Sequence, residues 1–302
     1  MKLFKMKIII AGGSGFLGKA LENYFTERHH EVWILTRNPK RKNEISWDAK
    51  TLGSWTNALE DAEVLINMTG KSVDCRYNDD NKAEILRSRI DSTNVLQEAI
   101  DLCKNPPKIW LNSSSASTYI HAETLLMTEH GGIIGDDFSM NVCKAWEKAF
   151  FAKTNLNTRK VALRTSIVLG KDGGAFPKLK TIVHLGCGGQ QGRGNQKVSW
   201  IHIEDFCQAI YFIIQNKNIE GATNITSSQP IDNKDFMKVL RKEMHIPFGI
   251  PSPKFLLEFA SIFLQTETEL LLKSRNVYPQ RLIDFGFEFK YKSLEDAVRD
   301  LC

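Results

Sequence analysis

Nothing in this chain is long and apolar enough to span a bilayer, and the Met1 to Lys5 leader is too short to serve as a secretory signal. Cysteine is scarce and scattered. The six residues Cys75, Cys103, Cys143, Cys187, Cys207 and Cys302 form no CxxC pair and match no histidine spacing, which argues against a disulfide framework and against a zinc site. Charge of one sign is also lacking: 40 basic residues face 35 acidic ones, for a net charge of +5. The basic residues are dispersed rather than gathered into an aromatic-interleaved stripe, so nucleic acid is not an expected partner, and neither is a membrane. No internal repeat or low-complexity segment is present. A cytoplasmic, soluble protein is the expectation, and 302 residues suit one large α/β domain or one domain with a smaller appendage.

The most informative stretch is Met6 to Gly18. Ile8, Ile9 and Ile10 form the β-branched run of a strand covered on both faces. Gly12, Gly15 and Gly18 then permit a tight turn, close approach of a ligand's phosphates and close packing of the next helix. Phe16, Leu17, Ala20, Leu21, Tyr24 and Phe25 recur at helical spacing, so the helix directs its free N–H groups and positive dipole end at the turn. The spacing is GxxGxxG, and its position between strand and helix is what marks a dinucleotide site.

Glu31 to Thr36 reads as the second strand of this βαβ unit. Where a carboxylate would hold the ribose 2′-hydroxyl of NAD, the chain places Thr36 and Arg37, followed by Lys40, Arg41 and Lys42. A guanidinium offers a planar fork of donors to a 2′-phosphate, which favours NADP(H).

A short strand is expected near Ile45 to Trp47, and a clearer one over Ala62 to Asn67 ends in Met68, Thr69 and Gly70 at the ligand edge of a parallel sheet. Cys75 to Asn81 is polar and loop-like, and Lys82 to Leu102 reads as a long helix on which Arg89 could face the cofactor or solvent. The strand Lys108 to Asn112 runs into Ser113, Ser114, Ser115, Ala116, Ser117, Thr118 and Tyr119, hydroxyls that could serve a substrate or cap the next element. Asp136 to Phe151 is helical and Lys160 to Val168 is a sixth strand. The glycine-rich run from Gly170 to Gly194 reads as one long loop. Val198 to Ile203 is strand-like, and helices are expected over Asp232 to Met244, Pro253 to Leu264 and Glu267 to Lys273.

Taken together, Gly12 to Gly18 with Arg37, Asp61 to Asn67, Ser113 to Ser117, Arg164 to Gly170 and Trp200 to Asp205 resemble the extended short-chain dehydrogenase/reductases related to nucleotide-sugar epimerases. Ser88-Arg89-Ile90, Trp146-Glu147, Gly186 to Gly189, Pro279 to Leu282 and Gly286-Phe287 resemble its atypical branch, the epimerase family or SDR39U-like proteins. The resemblance spans nearly the whole chain. It implies a Rossmann-type doubly wound parallel sheet with a small C-terminal α/β substrate domain: residues 1–169 with 198–226 returning to them, and 170–197 with 227–302. It also implies that Gly12, Gly15, Phe16, Leu17 and Gly18 cradle the pyrophosphate of NADP(H), that Thr36 and Arg37 hold the 2′-phosphate, and that Met68, Thr69, Arg89 and Val168 line the groove.

Relatives that catalyse hydride transfer carry a Tyr-x-x-x-Lys pair on the helix after the serine strand. Anchored on Trp146-Glu147, those two positions fall on Ser139 and Cys143, or one residue later on Met140 and Lys144; neither register holds a tyrosine. Ser115 or Ser117 matches the family's catalytic hydroxyl, and Lys144 or Tyr119 could stand in for the missing partner. Val198, with Lys197 beside it, occupies the place of the arginine that grips a diphosphate in sugar-nucleotide enzymes. His202 on the strand nearby reads as either a core histidine or an acid/base. Two functions follow: an NADP-dependent oxidoreductase or epimerase-like enzyme acting on an unknown small molecule, or a non-catalytic NADP(H)-binding module that reports redox state to a protein partner. A homodimer is one candidate assembly.

Overall fold

A computed structural model of the chain describes residues 5–153, 157–255, 258 and 272–302. Its first half alternates strand and helix: β1 (Lys7–Ala11), α1 (Phe16–Glu27), β2 (Glu31–Thr36), β3 (Glu44–Ser46), β4 (Val64–Asn67), α2 (Asp79–Leu102), β5 (Ile109–Ser115), α3 (Phe138–Phe151) and β6 (Arg159–Thr165). Then come β7 (Ile167–Gly170), β8 (Gly173–Gly174), α4 (Phe176–His184), β9 (Lys197–Val198), β10 (Trp200–His202), α5 (Ile203–Gln215), β11 (Gly221–Ile225), β12 (Ile231–Asp232) and α6 (Asn233–Glu243). The chain ends in α7 (Gln280–Asp284) and α8 (Leu294–Leu301).

Seven strands form one parallel sheet in the order β11-β6-β5-β4-β1-β2-β3. The chain runs outward from β1 in one direction and resumes at β4 in the other, so the switch point lies between β1 and β4, where open α/β sheets bind ligands. The isoleucine run of β1 is buried on both faces, as its composition requires. Ile8 and Ile10 join α1 and α5 in one core, while Ile9 and Ala11 join α2 and α3 in the other. This is the doubly wound Rossmann-type architecture that the sequence implies. Among the described residues no helix is long and apolar enough to cross a membrane.

Several boundaries differ from the sequence reading. The expected loop over Gly170 to Gly194 contains β8 and α4; Pro177 sits in the first turn of α4, where its missing N–H costs nothing. The expected sixth strand is two strands. β6 stays in the main sheet and β7 pairs with β10 and β8 in a three-stranded sheet. β5 continues through Ser115, so the first serines are strand residues rather than loop. The segment Val198 to Ile203 is split likewise between β9 and β10, and α2 starts three residues early because Asn78 caps it by accepting from the Asn81 N–H. The helices expected over Pro253 to Leu264 and Glu267 to Lys273 fall largely outside the described residues.

Candidate cofactor and active site

The turn after β1 is a cradle with room for an anion. Gly12 has φ +72°, a left-handed conformation that disfavours any side chain, and a Cβ there would lie 2.9 Å from the Thr69 backbone. A Cβ on Gly18 would lie 2.4 Å from the Gly13 Cα, so α1 packs directly on the turn. Gly15 differs: the nearest atom to its Cβ would be the Gly12 carbonyl oxygen at 3.9 Å, so this position faces open space. Gly15 is also the N-cap of α1, and it brings no side chain to the helix's free N–H groups. The first turn of α1 has no acid, whereas α2, α5 and α8 each carry two there. These are the features of a phosphate site.

Across the switch point, Asn67 at the end of β4 donates to the Asn112 side chain at 2.8 Å and accepts from the Thr69 N–H at 3.0 Å. That pair sets the turn which brings Thr69 against Gly12. The Thr69 hydroxyl is buried there without a hydrogen-bond partner, an arrangement that a ligand's polar atom would relieve. Met68 accepts from the Ser113 hydroxyl at 2.9 Å. Thr36 is buried at the end of β2 and Arg37 is exposed beside it. Arg41 is withdrawn from this group, since its guanidinium pairs with Glu22 at 2.8 Å and with Glu44 at 2.7 Å.

The remaining groove residues are more mixed. The Phe16 ring packs on the backbone of Gly170, Gly173 and Gly174, so it ties the cradle to the β7–β8 turn. Leu17 is packed against the core beneath α1, and Val168 is buried on β7. Arg89 turns inward from α2: its Nη1 donates to the Lys71 carbonyl at 3.0 Å and to the Ile85 carbonyl at 2.8 Å, its guanidinium lies over the Trp146 ring, and it packs on Gly70.

At the ends of β5 and β6 the structure decides the register that spacing left open. Cys143 is buried on α3 and its thiol lies against the Ser115 backbone, while Lys144, one residue on, is exposed. A shift of one residue rotates a side chain by roughly 100° around a helix, so both cannot face the sheet. Lys144 is therefore not assembled with Ser115 and Ser117. The Ser115 hydroxyl accepts from the Ser117 N–H at 3.1 Å and caps a short turn of 3-10 helix, a structural use of that side chain. Burial pushes the Cys143 thiol up to about 12.

Comparison with known proteins identifies the family. The NAD dependent epimerase/dehydratase family matches residues 8–130, and a domain of unknown function, DUF1731, matches residues 252–301. The chain is 32% identical to the epimerase family protein YfhF of Bacillus subtilis over 98% of both chains. It is 30% identical to the chloroplastic SDR39U1 homolog of Arabidopsis thaliana, covering 98% of this chain and 86% of that one. The chain belongs to the epimerase family, in its SDR39U branch. A crystal structure of the human epimerase family protein SDR39U1 with NADPH superposes with a TM-score of 0.89 at 28% identity, over 98% of this chain and 99% of that one.

In this epimerase-family chain, Tyr119, one of the stand-ins that sequence offered for the missing tyrosine, and His202, the separate acid/base candidate, are both held by other work. Tyr119 is fully buried; its hydroxyl donates to Asn224 Oδ1 at 2.9 Å and accepts from Arg164 at 2.9 Å, and burial raises its pKa. Arg164 in turn forms a two-point pair with Glu147, at 2.8 Å and 2.7 Å, and Glu147 also accepts from Ser114 at 2.7 Å. This network ties β5, α3, β6 and β11 together and was invisible as spacing. His202 accepts from the Glu204 N–H at 3.1 Å and so caps α5, stacked at 3.8 Å on the Tyr291 ring. Burial pulls its imidazole down to about 4, so it is neutral near pH 7 and serves as a cap.

Proposed function

We propose that this chain binds NADP(H) in the β1–α1 cradle and uses it for hydride transfer to or from a small molecule at the ends of β5 and β6. The observation that carries the reading is the open face of Gly15 together with the unpartnered Thr69 hydroxyl buried against Gly12. Both lie at the sheet's switch point, and the similar human protein was solved with NADPH. When bound, the nicotinamide supplies or accepts the hydride. The chain's own residues do the rest. The turn and α1 offer N–H groups to the pyrophosphate, Thr36 and Arg37 meet the 2′-phosphate, and Arg89, Met68, Thr69 and Val168 shape the groove. Residues 170–197 and 227–302 form the substrate-binding part.

The alternative is a non-catalytic NADP(H)-binding module. It draws support from Cys143 standing where a lysine would serve catalysis and from the engagement of Tyr119 in the Arg164 network. Nicotinamide fluorescence tests the cofactor part. NADPH binds more tightly than NADH, and Arg37→Ala narrows the difference; equal affinities in the parent protein would overturn the assignment. A carbonyl screen separates the two functions, since the enzyme oxidises bound NADPH and the module leaves it intact.

A further inference from the structure

The loop between β2 and β3, residues 37–43, carries four basic side chains: Arg37, Lys40, Arg41 and Lys42. Arg41 lies between two carboxylates. Its Nη1 and Nη2 donate to Glu22 on α1 at 2.8 Å and 3.0 Å, and its Nε donates to Glu44, the first residue of β3, at 2.7 Å. Each of these acids has a side chain only 8% exposed, and among the described residues Arg41 is the one cation paired with either. Arg37, Lys40 and Lys42 are exposed, and among the described residues no carboxylate pairs with them.

The same two acids shape the backbone of the loop. Glu44 also accepts from the Lys40 N–H and, at 3.1 Å, from the Arg41 N–H, while its own N–H donates to the Arg41 carbonyl at 3.1 Å. Glu22 accepts from the Asn43 side chain at 2.8 Å, and the Asn43 carbonyl accepts from the Ile34 N–H at 2.9 Å. The far arm of the loop is thereby pinned to α1 and β2. The near arm leaves Thr36, whose carbonyl accepts from the Trp47 N–H at 3.2 Å, and begins with Arg37.

A buried carboxylate left without its cation would repel a 2′-phosphate nearby, and a cofactor lacking that phosphate would feel it far less. We infer that Arg41 is a positioning residue for NADP(H) selectivity. It neutralises Glu22 and Glu44 and fixes the loop, so that Arg37 meets the 2′-phosphate in a field set by the free cations alone. The inference rests on the NADP(H) reading above, and it adds that the choice between the two cofactors depends on a guanidinium that does not touch them.

Nicotinamide fluorescence titrations of the full chain with NADPH and with NADH test this. Arg41→Met weakens NADPH binding about tenfold and NADH binding less than about twofold, and the loss shrinks at high salt. Arg41→Lys, which keeps the charge, recovers part of it. A variant combining Glu22→Gln, Arg41→Met and Glu44→Gln strands no acid, so it keeps the test readable where Arg41→Met is poorly folded. Its ratio of NADPH to NADH affinity rises from that of Arg41→Met toward the parent's; a ratio that stays at the Arg41→Met value makes Arg41 a direct phosphate ligand and overturns the inference. Equal losses for the two cofactors in Arg41→Met overturn it as well, because a merely structural role lowers both. A parent that prefers NADPH, with an unchanged ratio in Arg41→Met, removes the role of Arg41 alone. A parent that binds NADPH and NADH equally defeats the NADP(H) reading, and the role of Arg41 with it.

Discussion

Replacing Gly15 by alanine places a methyl group where the fold has room and a bound phosphate does not. Gly15 has φ −79° and ψ 177°, an extended conformation that alanine adopts freely, and the added carbon meets nothing closer than the Gly12 carbonyl oxygen at 3.9 Å. As an N-cap, alanine is worse than glycine by about 0.5–1 kcal/mol, and the reduced freedom of the unfolded chain returns about 0.4–1 kcal/mol. The expected net change in stability is within about 0.5 kcal/mol. Gly18→Ala is the opposite case. Its methyl would lie 2.4 Å from the Gly13 Cα, backbone on both sides, and forced overpacking of this kind costs about 1–3 kcal/mol. A phosphate in van der Waals contact with the turn must retreat by about 1 Å from an alanine at 15, and a tenfold loss of affinity, about 1.4 kcal/mol, is the least effect expected. Urea unfolding and NADPH fluorescence titration of the two variants measure both terms. If Gly15→Ala binds NADPH as tightly as the parent, or is destabilised as much as Gly18→Ala, the cradle has been wrongly placed.

Two further outcomes follow from the buried polar groups. Glu147→Leu strands the Arg164 guanidinium, whose side chain is only 11% exposed, and lowers unfolding free energy by about 3–5 kcal/mol; adding Arg164→Leu restores part of it. A double variant no more stable than Glu147→Leu would show that the pair is not the source. His202 has a folded-state pKa near 4, below its ordinary 6.5, so its contribution is present in full above pH 6.5 and is lost as pH falls through about 4. The shift corresponds to at most roughly 3–4 kcal/mol, and Asp300, Glu204 and Lys290 are the charged groups around the ring. His202→Asn keeps a capping side chain, so denaturation across this pH window should be flatter in the variant than in the parent; parallel curves would remove the histidine as the cause.

The parts legible in the sequence are those whose period or spacing has one physical meaning. The Ile8 to Ile10 run requires a strand covered on both faces, and the glycines at 12 and 18 are demanded by a positive φ and a backbone contact. Helix α4 was hidden because glycines flank it closely, although Phe176-Pro177 carries the first-turn proline signal. The choice between Cys143 and Lys144 could not be made from spacing, because one residue turns a helical side chain from core to solvent. Likewise, the Glu147–Arg164–Tyr119–Asn224 network joins residues from three elements and a loop that no local pattern relates.

The most direct test of the cofactor site is a crystal structure of this chain with NADPH. The account predicts the pyrophosphate against the N–H groups that open α1 beside Gly15, a hydrogen bond to the Thr69 hydroxyl, and the 2′-phosphate on Thr36 and Arg37. NADPH bound elsewhere, or bound with Gly15 and Thr69 untouched, would contradict it.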